Sequence, residues 1–138
     1  MDDKYKEKPW MLKRSKVINK LDIAFSKYIR LKNSFMGEAT CVTCGVTKPW
    51  KQMQAGHYES RGHYATRWDE QNVHVQCVGC NVFKKGNYTV YARYMVRRYG
   101  EGILEELAVR SVTTVKMPTS DLIDLVFEYR DKARELDI

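Results

Sequence analysis

No apolar run in this chain approaches the roughly 18 residues that a membrane span needs. The N-terminal string MDDKYKEKP is charged and has no secretory character. Low-complexity tracts are missing, and so is any internal repeat beyond two short cysteine pairs. The βαβ pattern that accompanies a redox-active CxxC is missing too. These absences speak against a membrane protein, a secreted disulfide scaffold and a thiol oxidoreductase. What remains is a chain of 138 residues, 43% hydrophobic, which suits one domain or one modest core with helical appendages. Cysteine and histidine are scarce, at four and three.

All seven of those residues lie in the stretch 41–87. Cys41/Cys44 and Cys77/Cys80 form two CxxC pairs, and His57, His63 and His74 lie between them. A CxxC puts two thiolates on one tight turn, and two such turns supply a closed tetrahedral shell of four sulfurs, the arrangement structural zinc takes. Iron can occupy the same shell. Gly45 follows the first pair, as a knuckle turn requires, and Asn81 follows the second, where a helix begins. Knuckle, hairpin, then knuckle on a helix is a treble-clef order, so the expected class is α+β with a zinc-strapped core and flanking helices. Thiols held by a metal suit a reducing cytoplasm.

The net charge is +7, unevenly spread. Residues 1–40 have an excess of +5, residues 41–87 of +3, and residues 88–138 of −1. A basic region beside a metal knuckle points to nucleic acid, although a solvated lysine-rich face would give the same charge.

Taken in order, residues 1–14 read as a flexible basic arm. Ser15 is placed to cap a helix reaching about Asn33, with Val17, Ile18, Leu21, Phe25, Tyr28 and Ile29 as its apolar stripe. Its other face carries Lys16, Lys20, Lys27, Arg30 and Lys32, either solvated or in contact with phosphate. Residues 46–55 read as extended, with Trp50 and Met53 packing on the knuckle. Residues 56–58 read as a strand or its end, and 59–70 as a polar loop. Residues 72–76 alternate: Val73 and Val75 turn to the core, while Asn72, His74 and Gln76 face the loop holding His57. Asn87 is placed to cap a helix through Tyr99 with an aromatic stripe, read as core ahead of a base-stacking platform. A short acidic helix follows over 101–111. Thr119 or Ser120 caps a last helix to about Leu136, which docks on the core or on a dimer partner. Three segments result: 1–36, a basic arm and helix; 37–99, the metal-bound core; and 100–138, the C-terminal helices.

The order His57, Asn72, then CxxC with Asn81 resembles the HNH, or ββα-metal, endonucleases. The longer strings LDIAFSKYIRLKN, CVTCG, QAGHY and RWDEQNVHVQCVGCN resemble the phage recombination family NinG, also called Rap. The layout is also similar to phage junction resolvases of the endonuclease seven type. The resemblance implies metal-dependent hydrolysis of phosphodiesters in branched DNA, including Holliday junctions and D-loops, in the cytoplasm of a bacterial host. It implies His57 as general base, Asn81 as a ligand to Mg²⁺ or Mn²⁺, and Asn72 as the brace that orients the histidine. Arg61, Arg67, Lys84 and Lys85 surround the motif as phosphate contacts. His63 matches no role.

One departure stands out. Many HNH enzymes place a metal-binding Asp immediately before the histidine, where this chain has Gly56. His74 is the candidate replacement ligand, ahead of Glu59, Asp69 and Glu70. Without that carboxylate, a non-catalytic zinc-organised DNA-binding module and a zinc-mediated adaptor for phage recombination proteins remain as alternatives. A symmetric cut across a junction would need two active sites, hence a homodimer.

Overall fold

The computed structural model describes residues 8–137. The chain is a mixed α+β protein of five helices and two small sheets among those residues. Helix α1 (Arg14–Lys32) is followed by the strands β1 (Ser34–Phe35), β2 (Glu38–Thr40) and β3 (Thr47–Pro49), then by β4 (Gln54–His57), helix α2 (Tyr64–Arg67) and β5 (Val73–Gln76). A π-helical turn (Gly79–Phe83) leads to α3 (Tyr88–Tyr99), α4 (Ile103–Ser111) and α5 (Thr119–Leu136). Strands β1, β2 and β3 form one antiparallel sheet, and β4 pairs with β5 in a second.

The apolar stripe of α1 is buried against α5. Val17, Leu21, Phe25 and Ile29 meet Leu122, Val126 and Tyr129 in one cluster that also takes in Met53, Val73 and Val75. Phe25 meets Tyr129 edge-on with ring centroids 4.8 Å apart. Burying each such side chain contributes roughly 1.5–3 kcal/mol, so the α1–α5 pair is the main apolar support for the β4–β5 hairpin. A smaller cluster joins Tyr91 and Met95 of α3 to Ile103 and Leu107 of α4. The aromatic stripe of α3 is therefore core.

Three expected caps do not form. Helix α1 starts at Arg14, after Lys13, and Ser15 caps nothing. Instead the Arg14 guanidinium donates to the Met117 carbonyl at 2.7 Å and to the Thr119 hydroxyl at 3.3 Å, tying the starts of α1 and α5 together. Pro118 precedes α5, so neither Thr119 nor Ser120 caps it. Asn87 stands before α3 in the left-handed region, at φ 49°, with its amide turned to the Cys80 sulfur and not to the helix. Thr119 takes the Arg14 guanidinium and Asn87 the Cys80 sulfur in place of a helix amide. The arm reading also needs correction from residue 9 onward. Pro9–Met11 is a short helical turn with Trp10 6.3 Å from Phe127, while residues 1–7 lie outside the described residues.

Register decides which face each polar residue takes. Gly56 pairs with His74 and His57 with Val73. Cross-strand partners share a face, so His57 lies with Val73 and Val75, opposite His74 and Gln76. The expectation that the His74 face looks toward His57 is thereby overturned. The Gln76 side chain, fully buried, sits where a Cβ on Gly56 would go, with its amide held by the Gly86 carbonyl and the Thr43 hydroxyl. Replacing Gly56 by Ala should therefore cost about 1–3 kcal/mol by overpacking. In urea unfolding, the penalty should shrink in a Gln76→Ala background; an equal penalty in both backgrounds would refute the steric account.

Candidate metal centre and adjoining cavity

The two cysteine pairs come together. The sulfurs of Cys41, Cys44, Cys77 and Cys80 all lie within 4.8 Å of one another. Cys44 Sγ and Cys77 Sγ are 3.6 Å apart. Four sulfurs at zinc's bonding distance in a tetrahedron would be about 3.8 Å apart, whereas a disulfide would bring two sulfurs to about 2 Å. All four cysteines are free. The donor set and its spacing fit one Zn²⁺. Polar groups reach two of the sulfurs: the Cys80 amide donates to Cys77 Sγ at 3.4 Å, and Asn87 Nδ2 reaches Cys80 Sγ at 3.6 Å. Burial opposes ionisation of Cys41, but the Thr43 hydroxyl and nearby backbone amides outweigh it and pull the thiol down to about 6. Cys44 goes the other way: its backbone bond at Val46 is outweighed by burial and by hydrogen bonds to the other three thiols, which push it up to about 12, so a zinc ion would displace that proton in taking all four as thiolates.

Beside this knot lies a cavity of about 610 Å³ whose lining includes Asp22, Arg30, Gln54, His57, Arg61 and Asn81. The structure thus brings His57 and Asn81 to one space, from β4 and from the π-helical turn. Asn81 donates its amide to Gln54 Oε1 at 2.8 Å. His57 Nε2 is 2.8 Å from the Arg67 carbonyl oxygen. A carbonyl only accepts, so Nε2 carries the proton and Nδ1 keeps the lone pair. Burial lowers the His57 pKa, against the raising effect of that carbonyl bond, which leaves the ring neutral at pH 7. Asn72 does not reach the cavity. Fully buried, it accepts from the Glu59 amide at 2.7 Å and donates to the Glu59 and Thr66 carbonyls at 2.9 and 3.0 Å. It pins both ends of the loop that follows His57.

His74 goes elsewhere. Its Nδ1 lies 3.0 Å from the Tyr91 hydroxyl and its Nε2 2.8 Å from the Tyr99 hydroxyl. Tyr91 donates its own proton to the Gly56 carbonyl at 2.7 Å, so it accepts from His74 Nδ1, and Tyr99 donates to Nε2. Both ring nitrogens are spent, and His74 is not the replacement ligand. Of the other candidates, Glu70 accepts from Lys32 and Tyr28, and Asp69 from Arg110 and the Gln71 amide. Glu59 contributes to the Asn72 brace through its backbone.

A profile described as the bacteriophage lambda NinG protein matches residues 2–138. The chain belongs to the NinG family. It is 31% identical to the ninG protein of Salmonella phage P22 over 136 residues, 97% of this chain and 64% of that one. It is 35% identical to that of Escherichia phage 933W over 107 residues, covering 76% and 51%. With the ninG protein of Escherichia phage lambda it shares 34% over 107 residues, covering 76% and 50%. The chain spans between half and two thirds of the length of these relatives. No solved structure matches it.

In this NinG-family chain the residue that sequence reasoning missed is Asp22. It is the sole acid on α1, in a helix with six basic residues, and it lies one and two turns from the buried Phe25 and Ile29. Arg67 grips it with two bonds, Nε to Oδ1 at 3.1 Å and Nη2 to Oδ2 at 2.6 Å, and Trp68 Nε1 adds a third at 3.0 Å. Arg67 is therefore committed to Asp22 and is not the phosphate contact expected of it. Arg61 is largely exposed at the cavity rim, 3.9 Å from Asp22. Lys84 and Lys85 are exposed in the turn after the metal knot. His63 precedes α2 and does not line the cavity. No helix of the described residues is long and apolar enough to cross a membrane.

Two outcomes are expected. Purified under reducing conditions, the protein should carry one zinc per chain, and Cys77→Ser should release most of it with loss of near-ultraviolet circular dichroism; a metal-free wild type with intact tertiary signal would contradict the centre. Second, burial, helped by the charges of Arg98 and Lys32, lowers the His74 pKa from 6.5 to about 4. The unfolded chain then binds that proton more readily. The stabilisation is complete above about pH 6.5 and is lost as pH falls through about 4, about 3 kcal/mol in all. Urea unfolding of His74→Gln should show a correspondingly shallower acid dependence than wild type, with zinc content followed in parallel; identical slopes would contradict it.

Proposed function

We propose that this chain is a metal-dependent endonuclease acting on branched DNA in phage recombination, with Holliday junctions and D-loops as its substrates. Family membership sets the context, and the observation that carries the chemistry is the shared cavity of His57 and Asn81. A neutral imidazole there has its Nε2 proton tied to a backbone carbonyl and its Nδ1 lone pair available, the state a general base requires. On this reading His57 Nδ1 takes a proton from the attacking water. The Arg67 carbonyl then stabilises the imidazolium through Nε2. Arg61 at the rim holds phosphate, with Lys84 and Lys85 extending the basic surface.

Asn81, with Asp22 in the lining of the same cavity, would hold a Mg²⁺ or Mn²⁺, hard cations that take oxygen donors. Such an ion supplies charge stabilisation of the leaving oxygen. The hairpin β4–β5 and the π-helical turn that carries Cys80 support a treble-clef, ββα-metal reading of the core. The host cytoplasm as location, and a homodimer that cuts both strands of a junction, belong to the same proposal.

A second reading, a zinc-organised DNA-binding module without cleavage, draws on one observation. The expected carboxylate position is Gly56, and Asp22 is already satisfied by Arg67 and Trp68. Cleavage of a labelled four-way junction in Mg²⁺ or Mn²⁺ separates the two. His57→Ala should lower the cleavage rate by about 10²–10⁴-fold while junction affinity is retained. Undiminished cutting by that variant would remove His57 from the mechanism, and a wild type that binds without cutting would favour the second reading.

A further inference from the structure

The two most exposed large apolar side chains among the described residues are adjacent. Phe35 and Met36 are 81% and 87% exposed. They occupy the tip of the β1–β2 hairpin, where Phe35 pairs with Glu38 and the turn is Met36-Gly37. Both turn residues have positive φ, 51° and 81°, the pattern of a type I′ hairpin. That turn normally takes Asn-Gly or Asp-Gly, because an unbranched apolar side chain gains nothing there and a Cβ is disfavoured. Met36 thus sits in a conformation unfavourable to it while its side chain finds no cover. Neither fold stability nor solubility accounts for the pair.

The tip is also coupled to the cavity. The Gly37 carbonyl accepts the Trp50 amide at 3.0 Å. The Trp50 ring lies 5.2 Å from the Arg30 guanidinium, and Arg30 lines the cavity with His57 and Asn81. The surrounding segment is basic: between residues 30 and 58 the acid Glu38 stands alone against Arg30, Lys32, Lys48 and Lys51. Lys32 is spent on Glu70 at 2.7 Å, but Lys48 and Lys51 are exposed, with Lys51 5.8 Å from the Trp50 ring centroid.

We propose that the Phe35-Met36 tip is a wedge that inserts between bases at a DNA branch point and sets that branch against the His57 cavity. An apolar tip in a basic field fits a polyanion with exposed base faces. At a branch point the bases are unstacked at lower cost than within a duplex, and apolar side chains entering a base step are a known way of holding bent DNA. A second copy of the chain is a poorer occupant, because the same basic surface would face itself. The proposal rests on the reading of this protein as a DNA-binding one.

The test uses the full chain in Ca²⁺ buffer, a four-way junction with 2-aminopurine at its branch point, and a linear duplex of matched sequence. Wild type should prefer the junction and raise the 2-aminopurine fluorescence. Phe35→Ala and Met36→Gly should each weaken junction binding by about ten-fold, within the range of one lost base contact, and abolish the fluorescence rise. Duplex affinity should not change. Met36→Gly should also raise Tm, since glycine suits the positive φ, so weaker binding is not explained by poorer folding. Variants that bind the junction and raise the fluorescence like wild type overturn the wedge alone. A shift from dimer to monomer on sedimentation of either variant also overturns it and makes the tip a self-interface. Failure of wild type to bind either DNA overturns the DNA reading and the wedge together.

Discussion

Four sulfurs within 4.8 Å of one another are the constraint on which the site depends. Cys41 directly follows β2, Cys77 directly follows β5, and Cys80 lies in the π-helical turn. One ion held by the four sulfurs would join all three. Asn81 is adjacent to Cys80 in the chain, and His57 is carried by β4, which pairs along its length with β5. The relation of His57 to Asn81 is therefore set by a path through Cys77 and Cys80. Backbone bonds from Cys41 to Val46 and from Val42 to Val75, each 2.9 Å, close the same knot from the other side. Cys41, Cys77 and Cys80 are also part of the main apolar cluster, so the knot and the core are continuous.

A second latch fixes the far end of the loop after His57. Asp22 on α1 grips Arg67, and the Arg67 carbonyl grips His57. Asn72 pins the same loop from within. The imidazole is thus oriented by groups from a helix, a loop and a strand start, which fixes its tautomer as well as its direction. Helix α1, whose apolar stripe is ordinary core, reaches the site through Asp22 and Arg30.

The contrast between what the chain reveals in one dimension and what it conceals follows from the range of each interaction. The cysteine pairs were legible because a CxxC is local and sulfur chemistry is specific. Helices α1, α3, α4 and α5 were legible because apolar spacing of three and four repeats over many turns. The cap at Thr119 was misread because its hydroxyl takes Arg14, 105 residues away in the chain, and the cap at Asn87 because its amide turns to the sulfur of the cysteine knot. The face of His74 was misread because one residue of register exchanges the two sides of a strand. Asp22 carried a weak signal, a lone acid in a basic helix beside an apolar stripe. Its meaning depended on Arg67, 45 residues away in the chain.

Gly56 and Asp22 together bear on how the cavity would treat a cation. At position 56 the space for a side chain is taken by Gln76, so an aspartate could not occupy it without displacing a buried amide. The carboxylate nearest His57 in the cavity lining is Asp22, and Arg67 already balances its charge at 2.6 Å. His57 and Asn81 are neutral donors. With Arg30 and Arg61 also in the lining, the cavity has no net negative charge with which to strip water from a hard divalent ion. On the endonuclease reading the missing charge comes from the phosphodiester itself. Asn81 would then hold such a cation well only when DNA is present. Arg67 would compete with it for Asp22, so the ordered loop and the loaded site would be coupled through one carboxylate. A site arranged this way would be inert toward metal alone and would assemble its full charge at the branch, where the substrate brings the oxygens that the protein lacks.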